Sequence, residues 1–323
     1  MPSALPYSVS MPIFPSQDRT LDPKSQGEDE EGSDFRDDFS DFHLIAANAY
    51  GTVNRALERA TGRVVAVKTV ICDSDGGHPN RYTSGDGRIA KDFTLLERTR
   101  HPHVLRILSV YCGMPGGLTH IILEYMEGGT LLEYLLEQNR QQESCATPGS
   151  FIRGLPEIAC RDIMYQLCQA MSYVHRRGVL HCNLKPENIL LTGDKMPFIK
   201  VAGFGLAIKS EGERMDIRGS FDYAAPEVVC HSGYDHRADS WSAGITLFAM
   251  LLLESPHVSG HHIAGEPIAL EWDALRERLS EDGQDFLRRL LCEDPSGRCS
   301  MEEALHHRWL VYHRPMYPNI LYP

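Results

Sequence analysis

The chain changes its periodicity once, at Gly128-Gly129, and that switch limits it to folds in which a small β-rich part precedes a larger helical one. From Phe42 to about Tyr125, branched and apolar residues come in short runs. Ala60-Thr61-Gly62-Arg63 is placed as a hairpin turn between Val53–Ala56 and Val64–Val70. One helix is predicted to interrupt this region, near Arg88 to Thr99. Beyond the two glycines the spacing becomes helical. Pro156 opens a segment in which Ile163, Leu167, Ala170 and Val174 share one face, and a second helix is predicted over Ala238 to Leu253. Thr130, with Glu133 three residues on, has the form of a capping box and marks a helix start without needing a functional explanation. A short segment around Glu124 to Glu127 joins the parts, so the expected class is α+β, with any ligand pocket between two lobes.

Composition narrows the function. The 323 residues, 42% of them hydrophobic, suffice for one large domain or two lobes with a buried core. A net charge of -12 repels phosphate backbones and anionic bilayers, which argues against nucleic acid and membranes as partners. The nine cysteines are odd in number and contain no C-x-x-C pair, which favours reduced, mostly buried thiols. Met1 to Thr20 lacks a basic stretch leading into an apolar run, and the longest apolar segment, Ile245 to Leu253, is too short to span a bilayer. A soluble protein with a cytoplasmic address is therefore expected, and a nuclear address is compatible with the same features. Residues 1–41 are rich in Ser, Pro, Asp and Glu, with an acidic cluster from Glu28 to Asp41, and are expected to form a disordered tail. The plain reading of that tail is a solvating arm; binding a basic partner or phosphorylation at Ser33 or Ser40 is the alternative.

The strongest motif is His181-Cys182-Asn183-Leu184-Lys185-Pro186-Glu187-Asn188-Ile189-Leu190-Leu191. It resembles the catalytic loop of serine/threonine protein kinases, His-Arg-Asp-Leu-Lys-Pro-Glu-Asn-Ile-Leu-Leu, with two substitutions. Other pieces follow in the order of that family: Ala66-Val67-Lys68, Gly203-Phe204-Gly205, Ala225-Pro226-Glu227 and Asp239-Ser240-Trp241-Ser242-Ala243-Gly244. Taken singly, the first is an ordinary strand and the second a turn; their order and spacing exclude those readings. The resemblance runs from Phe42 to Leu310. It implies the bilobal protein-kinase fold, with a small β-rich N-lobe over 42–124, a larger helical C-lobe over 128–310, and a C-terminal tail over 311–323. Lys185 and the Pro-Glu-Asn after it resemble the serine/threonine group. Phe198 to Ala207 is similar to the calmodulin-dependent and checkpoint-type branch.

The resemblance also assigns tasks to positions, and several are filled by unsuitable chemistry. A kinase must position ATP, neutralise its phosphates with metal and accept the substrate hydroxyl proton. Proton acceptance falls to an aspartate where this chain has Asn183, and a carboxamide takes no proton at neutral pH; losing a general base costs roughly 10²- to 10⁴-fold. Metal binding falls to an aspartate at Gly203, which leaves Asn188, with Asn183, as weak neutral candidates, so no metal site is assigned and Mg²⁺ is expected to be held poorly. The phosphate-covering loop, Ile45-Ala46-Ala47-Asn48-Ala49-Tyr50-Gly51-Thr52-Val53, keeps only Gly51 of three glycines. Lys68 would hold the α and β phosphates if oriented by a carboxylate, and the position of the family's glutamate is taken by the shorter Asp92. Cys182 replaces the arginine that binds an activation-segment phosphate, so phosphorylation near Ser210 or Ser220 lacks its usual acceptor. Lys185 would stabilise charge beside the acceptor hydroxyl.

Architectural and adenine-binding positions are kept. The family pairs Glu227 with Arg298, anchors the catalytic loop on Asp239, and uses His181 and Phe204 for packing. Val53, Ala66 and Leu190 match the residues that sandwich adenine, with Leu123 at the back and Glu124 and Met126 supplying backbone hydrogen bonds, so ATP is the ligand the slot would take. His257, His261, His262 and the pair His306-His307 lack ligand-spaced partners and are read as surface histidines. The expected function is a catalytically impaired kinase-like module that senses nucleotide or docks to other proteins, for example an active kinase or its substrate. The alternative is an ATP-dependent serine/threonine kinase of low or unusual activity.

Overall fold

The computed structural model describes residues 35–48, 51–71, 100–114, 118–145, 154–193, 198–209, 219–253 and 272–311. The chain divides into two units, Met1–Ile89 with Ile107–Tyr125, and Ala90–Arg106 with Met126–Pro323. The first carries a five-stranded antiparallel sheet and the second is mainly helical, which is the expected α+β class.

In the first unit, β1 (Phe39–Asn48), β2 (Gly51–Glu58), β3 (Val64–Ile71), β4 (Ile107–Met114) and β5 (Leu118–Glu124) lie in the order β1-β2-β3-β5-β4. The predicted hairpin joins β2 to β3, with Gly62 at φ 70° in the turn. The boundary expected at residue 42 is corrected. A short helix α1 (Phe35–Asp38) leads directly into β1, and Phe35 and Phe39 are 5% and 2% exposed. Phe35 stacks on His120 with ring centroids 4.0 Å apart, and both phenylalanines pack edge-on against Tyr111, whose hydroxyl donates to Asp38 at 3.0 Å. Two large aromatic side chains buried four residues apart outweigh the acidic residues between them, of which Asp37 stays at the surface and Asp38 accepts from the Tyr111 hydroxyl. The helix predicted near Arg88 to Thr99 and the tail up to residue 34 lie outside the described residues.

In the second unit, α2 (Leu131–Cys145) begins at the predicted capping box: Glu133 accepts from the Thr130 amide and hydroxyl at 2.8 and 3.0 Å, and its own amide donates to the Thr130 hydroxyl at 3.1 Å. Ahead of it, Gly128 donates to Leu191 O at 3.0 Å and lies so close to the backbone of Leu191 and Thr192 that a Cβ would collide with it. That approach is why the switch in periodicity falls at glycine. Helix α3 (Glu157–His175) buries Ile163, Leu167, Ala170 and Val174 as spaced. Its Glu157 carboxylate accepts from Ser280 and from the Trp309 indole, tying it to α7 (Glu281–Leu290) and α9 (Arg308–Val311). Helix α5 (Arg237–Leu252) is buried on all sides from Ala238 to Leu251, as expected of the central element of a core. Short elements complete the unit: β6 (Val179–Leu180), β7 (Ile189–Leu191), β8 (Ile199–Val201), β9 (Ile208–Lys209), α4 (Pro226–Val229), α6 (Trp272–Arg276) and α8 (Met301–Leu305). Residues 100–106 belong here because Leu105 donates to Val201 O, and Val201 to His103 O, both at 2.8 Å. No described helix is long and apolar enough to cross a membrane.

Candidate functional site

The segment from His181 to Leu191 leaves β6, turns through a 3-10 helix at Pro186–Asn188 and enters β7. Its start is fixed by the Asp239 carboxylate at the N-terminus of α5, which accepts from the amides of His181 at 2.8 Å and Cys182 at 2.9 Å and from His175 Nε2 at 2.9 Å. Burial would raise the Asp239 pKa, but the bond from His175 and the nearby imidazoles outweigh it and hold the carboxyl below its usual range. This clamp supports Cys182 at φ 63°, a left-handed conformation unusual for a residue with a side chain. The His181 ring lies edge-on to Phe204, 4.6 Å between centroids, and its Nε2 is 2.7 Å from Ala202 O. Burial lowers the His181 pKa, so the ring is neutral: Nε2–H donates to Ala202 and Nδ1 accepts from the Asn183 amide at 3.2 Å.

Asn183, Asn188 and Gly203 come together, and no carboxylate is among them. Asn183 Oδ1 accepts from both the amide and the hydroxyl of Ser220, at 3.1 and 3.2 Å. Asn188 Nδ2 donates to Asn183 O at 2.6 Å. Gly203 has φ 79° and ψ 26°, and a Cβ built there would collide with the carboxamide of Asn188. The amide of Asn188 thus occupies the space into which a side chain at 203 would grow. A magnesium ion is normally bound by one or two carboxylates with waters and phosphates, and these residues offer only neutral carboxamide oxygens, one of them already accepting twice. The residues present do not fit Mg²⁺. Among the described residues no group of three or more His, Cys, Asp or Glu is placed to hold a metal. Lys185 Nζ lies 3.2 Å from Glu187 Oε1.

The first unit carries most of the other candidate residues. Across its sheet Ala46 faces Val53, Val53 faces Lys68, and Ala66 faces Leu123, so these positions form adjoining rows. Burial lowers the Lys68 pKa. Ile45 is exposed, Val53, Leu123 and Glu124 are half-buried, Ala66 is buried, and Gly51 opens β2 opposite Val70. Met126, buried, and Leu190, half-buried on β7, belong to the second unit. Asp92, Ala49, Tyr50 and Ser210 lie outside the described residues, as do His257, His261 and His262.

The expected ion pair is present: the Arg298 guanidinium donates to both carboxylate oxygens of Glu227, at 2.5 and 3.0 Å. The reading of His306-His307 is corrected in part. His306 is exposed, but His307 is nearly buried, with Nε2 2.9 Å from Asp285 and its ring against Phe286. The link from Ser220 to Asn183 was not foreseen; the signal for it is the position of Gly219-Ser220 just ahead of Ala225-Pro226-Glu227.

A model of the family described as protein kinase domain matches residues 39–310. The chain is 32% identical over 282 residues to serine/threonine-protein kinase ULK3 of Rattus norvegicus, covering 84% of this chain and 54% of that protein. It is 32% identical over 279 residues to CBL-interacting protein kinase 4 of Oryza sativa subsp. japonica, covering 82% and 56%. To serine/threonine-protein kinase RAD53 of Saccharomyces cerevisiae it is 28% identical over 301 residues, covering 84% and 33%. The chain spans about half the length of the first two relatives and a third of the last.

Proposed function

The chain belongs to the protein kinase family, of the serine/threonine kind, and from that premise we propose that it is a kinase domain, residues 35–310, in which phosphoryl transfer is weakened and binding is the main output. The observation that carries this reading is the Asn183–Asn188–Gly203 cluster, where two expected carboxylates are absent and the Asn188 amide fills the place of one. Without a carboxylate at 183 the acceptor hydroxyl keeps its proton until late in the reaction, at a cost of roughly 10²- to 10⁴-fold. ATP is the nucleotide proposed for the apolar positions Val53 and Ala66, with Lys68 toward its phosphates. The proposed partners are proteins, an active kinase or its substrate among them, and the proposed address is the cytoplasm or nucleus.

A second reading is favoured by the relatives, which bear the names of serine/threonine protein kinases, and by the retention of Lys68, Lys185 and Asn188. In it the chain transfers the ATP γ-phosphoryl group to a Ser or Thr hydroxyl at a low rate. Thermal unfolding with ATP, with Mg²⁺ and with both separates the two, since a ligand that binds only the folded state raises the midpoint. Under the first reading ATP raises the midpoint without needing Mg²⁺. A rise that requires Mg²⁺ favours the kinase reading, and no rise removes nucleotide from the proposal.

A further inference from the structure

A cavity of about 510 Å³ lies within the second unit and shares no residue with the cluster described above. One wall is a single face of α3 and its C-terminus, where Gln169, Ser172, Tyr173 and Arg176 recur at helical spacing. The lining also takes in Arg100, His101, Pro102 and Arg106, on the segment held to β8 by the Leu105 and Val201 backbone bonds, and Lys200 of β8. The lining includes four cations, Arg100, Arg106, Arg176 and Lys200, and none of the described residues that line it is an aspartate or glutamate. In a chain with 44 acidic and 32 basic residues, that grouping runs against the overall charge. Glu302 reaches Arg176 at 3.8 Å without lining the cavity.

Two of the lining residues are held by their surroundings. Arg176 donates to the buried Ser172 hydroxyl at 3.2 Å, and the Arg100 amide donates to the Tyr173 hydroxyl at 3.0 Å. A fifth cation, Arg177, stacks on Tyr173 at 3.5 Å from the ring centroid. The last carbonyls of α3 are already used by the amides of Arg176, Arg177 and Gly178, which reduces the negative end of the helix beside the cavity. His101, also in the lining, has its pKa pushed down to about 4, by burial first and then by His103, Lys200, Arg176 and Arg177, so it is neutral near pH 7.

We propose that this cavity binds a phosphorylated serine or threonine side chain of a protein partner, with Arg106, Arg176 and Lys200 on its phosphate and Tyr173 and Leu305 against the flanking residue. Several cations converging on one pocket suit a dianion with three acceptor oxygens better than a planar, singly charged carboxylate. The apolar surface beside them suits a peptide better than free phosphate. This site does not depend on whether the chain transfers phosphate.

The test is fluorescence anisotropy on the full chain, using a labelled pool of peptides with a central phosphoserine between degenerate positions and a matching serine pool. The phosphorylated pool should bind at least about tenfold more tightly than the serine pool, and Arg106→Gln with Arg176→Gln should remove about tenfold of that affinity. Both side chains are exposed, so the fold should persist, and circular dichroism checks it; if the double variant unfolds, Arg106→Gln alone carries the comparison. Lys68→Gln should leave the affinity unchanged. Equal binding by the arginine variants, loss only in Lys68→Gln, or no preference for the phosphorylated pool would overturn the proposal. Displacement by inorganic phosphate at the peptide's own binding concentration would assign the cavity to free phosphate instead.

Discussion

Replacing Glu227 by alanine should leave the Arg298 guanidinium buried without its counter-ion. The Arg298 side chain has 0% and Glu227 7% of its surface exposed, so neither charge is solvated in the fold. The other Arg298 hydrogen bonds go to the carbonyls of Cys292 at 2.8 Å, Arg237 at 3.1 Å and Glu293 at 3.2 Å, and its guanidinium lies 4.9 Å from the Trp241 ring centroid. These dipoles orient the cation but do not neutralise it. Breaking one side of such a pair costs about 3–5 kcal/mol. At roughly 2–4 °C per kcal/mol for a domain of this size, the unfolding midpoint should fall by roughly 6–20 °C. Differential scanning fluorimetry at pH 7.5 measures it. Glu227→Leu combined with Arg298→Met removes both charges and should lose much less than the single variant. A fall under about 2 °C for Glu227→Ala, or a double variant as unstable as the single one, would contradict the desolvated pair.

Two further changes probe the core of the second unit. Gly203→Ala puts a side chain at φ 79° and displaces the Asn188 carboxamide from its bond to Asn183 O, so denaturant unfolding should show a loss of about 2–3 kcal/mol with an unchanged slope. A loss near zero would mean that the amide does not occupy that space. His103 is 4% exposed and its Nδ1 is 3.0 Å from Ile199 O, yet burial pushes its pKa from 6.5 down to about 4. Because the unfolded chain protonates first, this contribution to stability is full above pH 6.5 and is lost as pH falls toward 4. By pH 5 the loss should be on the order of 2 kcal/mol, and the gap in midpoint between pH 7.5 and 5.0 should narrow in His103→Gln.

What could be read along the chain was what neighbours in sequence decide. The β2–β3 hairpin, the Thr130–Glu133 cap and the buried face of α3 depend on spacings of four residues or fewer, and each appears where expected. That residues 183 and 203 are Asn and Gly rather than carboxylates is read directly from the sequence. That Asn188 fills the space beside Gly203 is not, since the two are brought together only by the pairing of β7 with β8. Phe35 and Phe39 were hidden by their acidic surroundings, because their partners His120 and Tyr111 lie in β5 and β4, far along the chain. His307 likewise gains its carboxylate from Asp285 on α7, 22 residues back along the chain.

The most direct measurement is single-turnover transfer from γ-labelled ATP, with Mg²⁺, to a degenerate serine/threonine peptide pool, comparing the wild type with Asn183→Asp/Gly203→Asp. Active kinases turn over at about 1–100 per second, and the wild type should fall below that range by at least about a hundredfold. Restoring both carboxylates should raise the rate by more than the product of the single restorations, because base and metal ligand act on one transition state. A wild type that transfers phosphate within the usual range, at a rate the double restoration leaves unchanged, would contradict the weakening assigned to Asn183 and Gly203.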